Sequence, residues 1–348
     1  MENMFMKRLL TTLLVALSCI SCQIEARPMT TSRIDQFFSK TKPVCFGRFV
    51  LDVPFDADVV TGPQAFGPNI ESLPNGVQSL ARRAKAKRDE IQAKAHTIDR
   101  AEVISLNEGP TPTSWMLRYW KSDTAREVGL ETIEGFLAGA PHGFIYRTAT
   151  SENQTTSDTL KKITYVATHL RSRDAQQVPV EPGVCLDMGF IADDSGQFQE
   201  IFGIGLRFPG LSDVSFSLSS NKDAQQGDSF EDRRAEAKRA AFMVAPLATL
   251  FNKVKTLREG KLKVQQGQGS EALFRRPMEE GDGAWHEFQF EYVGKRFDHR
   301  NPSWDATLFT GVAHNQPGSK PSSLTDEEAM ALWDRLMSSV RLRVSGKL

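Results

Sequence analysis

The sequence has no excess of either charge. Lys and Arg number 43 and Asp and Glu 43 in 348 residues, a balance that leaves no electrostatic footprint for a nucleic-acid surface or a broadly acidic partner. No apolar run reaches the ~20 residues a membrane helix needs. Histidine is scarce. The six, His96, His142, His169, His286, His299 and His314, include no two at metal-ligand spacing, and His286-Glu287 lacks the second histidine of a zinc-protease helix. There is no Gly-x-Ser-x-Gly elbow and no phosphate-cradling Gly-Lys-Ser/Thr. Gly267-Gln268-Gly269 precedes a strand pattern where a dinucleotide loop must precede a helix. Asp193-Asp194-Ser195-Gly196 lacks the ligand series of a calcium loop and reads as a hairpin tip. Glu291 and Asp298 read as solvated loop acids rather than a glycosidase pair. The residues therefore offer no metal, no cofactor and no catalytic constellation.

What is present begins at the N-terminus. Lys7-Arg8 followed by the short apolar stretch Leu9 to Ile20 has the pattern of a secretory signal over residues 1–22. Ser21-Cys22 also partly matches lipoprotein processing, so the exported chain is either soluble in the periplasm or lipid-anchored through Cys22. Setting that segment aside leaves two of the four cysteines, Cys45 and Cys185. In an oxidising compartment they form one bridge or remain two buried thiols. A bridge closing so long a loop stabilises by about 4–5 kcal/mol in the chain-entropy model.

The strongest pattern lies between Val184 and Asn221. Phe202, Ile204, Leu206 and Phe208 alternate with Gly203, Gly205 and Arg207, and Val214, Phe216 and Leu218 alternate with serines. That is the two-residue period of strands with one buried face, and Pro209-Gly210 supplies the turn. Val184–Ile191 reads as a third strand. A similar cysteine-bearing strand, Val44 to Pro54, opens the first half. After it, residues 55–75 read as a loop rich in Gly and Pro. The spacing then predicts a helix over 77–95, strands at 102–106 and 114–120, a helix over 126–138, a strand at 144–148 and a helix over 158–171 that would also suit a strand. Residues 172–183 connect the halves. Beyond them come a helix over 230–257 interrupted at Pro246, strands near 270–274, 285–292 and 305–313, and a helix over 325–340. Thr325 and Glu328 form a capping-box signature at its start. One order recurs: a leading cysteine strand, then helix, three strands and helix. The expected class is α+β, with two lobes spanning 43–175 and 183–345, each an antiparallel sheet with helices packed on one face. The duplicated topology would leave a cleft between them.

One surface stretch stands out. Loop 294–304 mixes Phe297 and Trp304 with Arg296, Arg300 and Asp298, and interfaces favour aromatics and arginine at their centres. Trp304 would equally suit inward packing as a strand begins.

These residues resemble a family. Cys45-Phe-Gly-Arg-Phe-Val-Leu-Asp-Val-Pro54 is similar to the opening of the Tle-cognate immunity proteins, antidotes to a class of type VI secretion lipase effectors. Val184–Phe190 and Val214–Asn221 resemble the start of that family's C-terminal domain, and Trp285-His-Glu287, Trp304 and Leu324–Arg335 its close. The resemblance covers nearly all of the chain after the signal. It implies a non-enzymatic periplasmic protein of two domains that binds a phospholipase effector and blocks it. The rival reading is an envelope lipoprotein with a deep apolar pocket for a small ligand or cell-wall component. Neither reading involves nucleic acid, and neither sets an oligomeric state.

Overall fold

A computed structural model describes residues 32–96, 100–225, 227–243, 252–279 and 281–343. The expected signal, Cys22 and the Pro246 break lie outside them. The first half runs from a short helix α1 (Ser32–Phe37) into the hairpin β1 (Thr41–Phe46) and β2 (Phe49–Pro54), then β3 (Asp58–Phe66), β4 (Ile70–Leu73) and α2 (Leu80–Ala93). A four-strand meander follows: β5 (Glu102–Glu108), β6 (Trp115–Trp120), β7 (Thr132–Gly139) and β8 (His142–Ala149), with α3 (Asp123–Glu127) between β6 and β7. Helix α4 (Thr156–His169) and β9 (Leu170–Ser172) end it. The second half repeats the series. Its members are the hairpin β10 (Gly183–Leu186) and β11 (Gly189–Ala192), β12 (Glu200–Phe208), β13 (Leu211–Asn221), α5 (Phe230–Phe242), the meander β14 (Lys255–Val264), β15 (Gly267–Pro277), β16 (Ala284–Tyr292) and β17 (Ser303–Phe309), α6 (Asp326–Ser339) and β18 (Arg341–Leu342).

The fold is α+β, built from antiparallel sheets. Five strands pair in the order β4-β8-β7-β6-β5 and seven in the order β14-β15-β16-β17-β13-β12-β3. In both sheets the strand before the helix, β4 or β13, pairs with the last strand of the meander. Two small sheets, β1-β2-β18 and β10-β11-β9, complete the set. Three pairings cross between the halves, because β3 joins β12, β9 joins β11 and β18 joins β2.

Several sequence expectations are corrected. The helix expected over 126–138 is a five-residue helix followed by strand β7. Gly129, at φ 72°, ends α3, and β7 then buries side chains on both faces: Ile133 and Leu137 in the main core, Phe136 beneath α2. A strand apolar on both sides has no period of two to betray it. For the same reason the five-stranded sheet carries helices on both faces, α2 on one and α4 on the other. The expected loop at 55–75 contains β3 and β4. Gly62 and Pro63 fit β3 because it is an edge strand, where a missing N–H is tolerated. A Cβ on Gly62 would stand 2.8 Å from the Gly203 carbonyl oxygen, so the close pairing needs glycine.

Each cysteine stretch, expected as one strand, is a hairpin, with tips at Gly47-Arg48 and Asp187-Met188 where Gly47 and Met188 take positive φ. Helix α5 ends at Phe242, and Lys255–Leu257 belong to β14. Asp193–Gly196 is no hairpin tip; it joins β11 to β12, which lie in different sheets.

Helix α6 closes the main core. The Thr325 side chain accepts from Glu328 N–H while Glu328 reaches back to the Thr325 N–H, satisfying two orphan donors. Its inner stripe buries Ala329, Leu332, Trp333 and Leu336 completely. Trp333 meets Phe216 and Phe288 edge-on and donates Nε1–H to Glu271 at 3.0 Å. Replacing it by alanine removes a large buried ring that the seven-stranded sheet cannot collapse to fill. Trp333→Ala should therefore cost about 3–5 kcal/mol, read from the urea midpoint at constant slope; a loss under about 1 kcal/mol would remove α6 from the core's keystone position.

Candidate functional site: the junction between halves and the loop beside it

The two hairpins meet tip to tip. Cys45 on β1 and Cys185 on β10 form a disulfide with an S–S distance of 2.02 Å and Cα atoms 5.8 Å apart. Beside it Gly47 and Cys185 exchange backbone hydrogen bonds of 2.8 and 2.7 Å. The adjoining tip residue, Arg48, is 6% exposed. Its Nε and Nη2 donate to the two carboxylate oxygens of Glu200 at 2.8 and 2.7 Å, and Nη2 also donates to Asp193 at 3.0 Å. Nη1 donates to the Asp193 carbonyl. Both carboxylates are buried and belong to the second half. A buried guanidinium is held at least cost with its donors filled and carboxylates beside it. Here burial, which disfavours the cation, is outweighed by Glu200 and then Asp193, so the pKa of Arg48 lies above its ordinary value. Burial pushes the Asp193 carboxyl up, but hydrogen bonds from Ser195 and Tyr165 and the Arg48 charge together hold it below the ordinary carboxylate value. Its partner Tyr165 is pushed up to about 12 by burial and by that carboxylate.

Of these polar residues the sequence pointed only to Asp193 and Ser195, as a calcium-like stretch set aside; Arg48, Glu200 and Tyr165 were not singled out. The available signal was Arg48 set between Phe46 and Phe49 in a run otherwise apolar, a hint that its charge is held inside.

A cavity of about 300 Å³ opens at the junction, lined by β1, β3 and the 173–176 and 185–188 stretches, with Gln64, Arg173, Asp187 and both bridged cysteines in its wall. Arg173 is buried and saturated by carbonyls, among them Cys45, Leu186 and Gly189.

The loop named from sequence lies against the connector that carries Asp193. Asp194 accepts from His299 Nε2 at 2.9 Å and from Arg300 Nη2 at 2.8 Å, and these donors hold its carboxyl below the ordinary range. Phe297 N–H donates to the Lys222 carbonyl, and Lys295 N–H to that of Asn301. The loop is thus braced at its base while its tip faces solvent. Phe297 is 61% exposed, and the Arg296 guanidinium lies 4.4 Å from the centre of its ring. Asp298 accepts from the Arg300 N–H within the loop. Trp304 is different. It is 2% exposed and packs on Phe290, Phe49 and Tyr292, so it supports the loop from within the core and presents no surface to a partner. The structure brings Arg296, Phe297, Asp298 and Arg300 together and takes Trp304 away from them.

Elsewhere, Thr310, His286 and Asp326 stand in a chain: His286 Nδ1 is 3.0 Å from the Thr310 hydroxyl and Nε2 3.0 Å from Asp326. The order mimics nucleophile, base and acid, but the Thr310 hydroxyl is fully buried and accepts the His286 backbone N–H. The chain ties β16 and β17 to the start of α6. Among the described residues no group of three or more His, Cys, Asp or Glu could hold a metal ion, and no helix is long and apolar enough to cross a membrane.

The junction has a definite response to acid. Asp193, and likewise Asp213, whose burial is outweighed by donors from Ser323 and Gly311, have depressed pKa values in the folded chain. Each contributes stability that is complete above the ordinary aspartate value and is lost as pH falls through the folded one. The contribution of these two aspartates should stay flat from neutral pH to about 5 and decline below about 4. Arg48→Met should cost about 3–5 kcal/mol at pH 7, since two buried carboxylates lose their cation. Without the Arg48 charge the pKa of the buried Asp193 rises, so the variant should regain stability between pH 7 and 5 where the parent does not. Denaturant titrations at pH 7 and 5 check this, and an equal, small loss at both would show that Arg48 does not neutralise the pair.

Comparison with known proteins places this geometry. The family model described as Tle cognate immunity protein 4 N-terminal domain matches residues 42–179, and that of the C-terminal domain matches residues 177–345. No curated protein matches the chain. Among solved structures, the apo immunity protein TplEi of the type VI secretion system of Pseudomonas aeruginosa is 25% identical, with 88% of this chain and 98% of that one covered and a TM-score of 0.72. The Tle4-Tli4 complex matches at 26% identity, the same coverage and a TM-score of 0.73. TplEi complexed with an "L" peptide matches at 25%, covering 88% and 99%, with a TM-score of 0.68. Immunity proteins, not enzymes, make up this group, and both of its domain models are satisfied here in chain order: the chain belongs to the Tle cognate immunity protein 4 family.

Proposed function

We propose that this chain is a periplasmic antidote that binds a phospholipase effector of a type VI secretion system and blocks it, protecting the producing cell and its kin. The observation that carries the reading is the match of both halves to the two immunity domains, together with likeness over most of the chain to a protein solved in the Tle4-Tli4 complex. The export signature at residues 1–22 supplies the compartment, with Cys22 as the point of a lipid anchor if processing cuts before it.

A lipase must expose its active-site mouth to meet lipid, so a rigid body held against that mouth suffices to inhibit it. Two lobes, 43–175 and 183–345, joined by the disulfide and by the Arg48 ion pairs, provide such a body. On its surface the braced tip of Arg296, Phe297, Asp298 and Arg300 is our candidate anchor, because an exposed aromatic stacked with arginine on a fixed base loses little entropy on docking.

Co-export with a cognate type VI phospholipase effector should restore growth, and the two should co-purify. Binding to no lipase would overturn the assignment. The double change Arg296→Glu and Phe297→Ala should weaken the complex at least tenfold, about 1.4 kcal/mol, with the unfolding midpoint unchanged. Unaltered affinity would remove the loop from the interface and leave the function standing.

A further inference from the structure

We infer that residues 43–175 and 183–345 are two copies of one unit arranged about a local two-fold axis through the Cys45–Cys185 bridge, and that each copy is closed by the C-terminal strand of the other. The exchange, and not the disulfide alone, then sets the angle between the lobes.

The correspondence is element by element. Hairpin, strand, strand, helix, four-strand meander, helix and short strand occur in that order in both copies. Cys45 and Cys185 are separated by 140 residues, and so are the tip residues Arg48 and Met188. Thr155 caps α4 and Thr325 caps α6, each accepting from the residue three positions on. Arg173 and Arg343 follow at the same spacing from their caps, in Leu170-Arg-Ser-Arg173 and Val340-Arg-Leu-Arg343.

The strand pairings between copies obey the same symmetry, while the Gly47–Cys185 bonds and the Arg48 ion pairs occur once. β3 and β12 are corresponding strands and they pair antiparallel, as two-fold related strands must: Asp58 faces Arg207 and Phe66 faces Glu200, the start of each opposite the end of the other. β9 of the first copy pairs with β11 of the second, and β18 of the second pairs with β2 of the first. Just past each exchanged strand an arginine repeats one contact: Arg173 N–H donates to the carbonyl of Met188 at 3.0 Å, and Arg343 N–H to that of Arg48 at 2.7 Å. These are the tip residues of the two hairpins. Each guanidinium then turns back into the junction. That of Arg173 donates to the Cys45, Leu186 and Gly189 carbonyls, and that of Arg343 to those of Pro179, Glu181 and Gly183. Neither donates to a carboxylate in these bonds. Burial accordingly depresses both arginines, Arg343 to about 10. A cation held on backbone carbonyls with no carboxylate, Arg343 adding only the Phe190 ring at 5.1 Å, is costly to keep inside and is released only if the surrounding strands part together. The paired arginines are positioning residues that latch the exchanged strands.

The experiment uses the full chain with a protease site inserted beside Gln176, an exposed position in the connector between copies. After cleavage of the folded protein, the disulfide is reduced and the product is sized by gel filtration and native mass spectrometry at micromolar concentration. The two fragments should stay together as one body, with backbone amides of β9 and β18 still protected from hydrogen exchange. Arg173→Met with Arg343→Met in the same nicked chain should release them on reduction while remaining joined under oxidising conditions. Separation of the nicked, reduced parent into free fragments would overturn the inference, as would a double variant that stays associated with unchanged protection. No effector enters the assay, so this result and that of the immunity reading stand apart.

Discussion

Burying a guanidinium between two hairpin tips is the constraint on which the rest of this structure turns. Arg48 cannot enter the interior without Glu200 and Asp193, and those carboxylates come from the far half of the chain. Left without those carboxylates, the buried Arg48 cation would cost several kcal/mol. The halves must therefore meet in one register before any of the three is satisfied. The disulfide and the Gly47–Cys185 bonds fix the same register covalently and through the backbone. Polar specificity at the junction and apolar cohesion around it divide the work. The surrounding core runs without a break from Val44 and Phe49 of the first half to Trp304 and Trp333 of the second.

Where burial follows a simple period, the fold was legible. The alternation from Phe202 to Phe208 and from Val214 to Leu218 names β12 and β13 because each has one core face and one polar face. Thr325 and Glu328 name the start of α6 through chemistry local to four residues. Legibility failed where tertiary partners decide. Strand β7 is packed on both faces, so its spacing imitates a helix. Strand β3 keeps Gly62 and Pro63 because its one partner, β12, comes from the other half. The short hairpin tips at Gly47 and Met188 hide inside what looks like continuous strand, since the turn needs only one or two residues of positive φ.

The site was legible in part for the same reason. Setting the N-terminal cysteines aside left Cys45 and Cys185 as one bridge or two buried thiols, and the structure joins them. Loop residues Arg296, Phe297, Asp298 and Arg300 were named from composition, and they do share an exposed, braced tip. Trp304 was named with them, yet its neighbour on the strand, not the loop, governs its direction: β17 begins at Ser303, and alternation turns the next side chain inward onto Phe290. Arg48, Glu200, Arg173 and Arg343 were passed over, because a buried ion set is defined by separations of more than a hundred residues that no local pattern carries.

An antidote of this kind gains from stiffness more than from area. Association must offset lost rigid-body freedom and the ordering of every side chain that was free beforehand. A hinge between two lobes would add to that cost, since only the fraction of molecules already at the right angle could bind. Here the strand pairings across the halves, the Arg48 ion pairs and the bridge leave little for a partner to order. The exposed loop extends the same economy to a single side chain, because Asp194 holds both His299 and Arg300 while Phe297 is pinned through its own N–H. A surface arranged in this way can meet a lipase without rearranging. The stiffness that the proposed role requires then comes from the junction's polar chemistry, directly beside the loop nominated as the anchor.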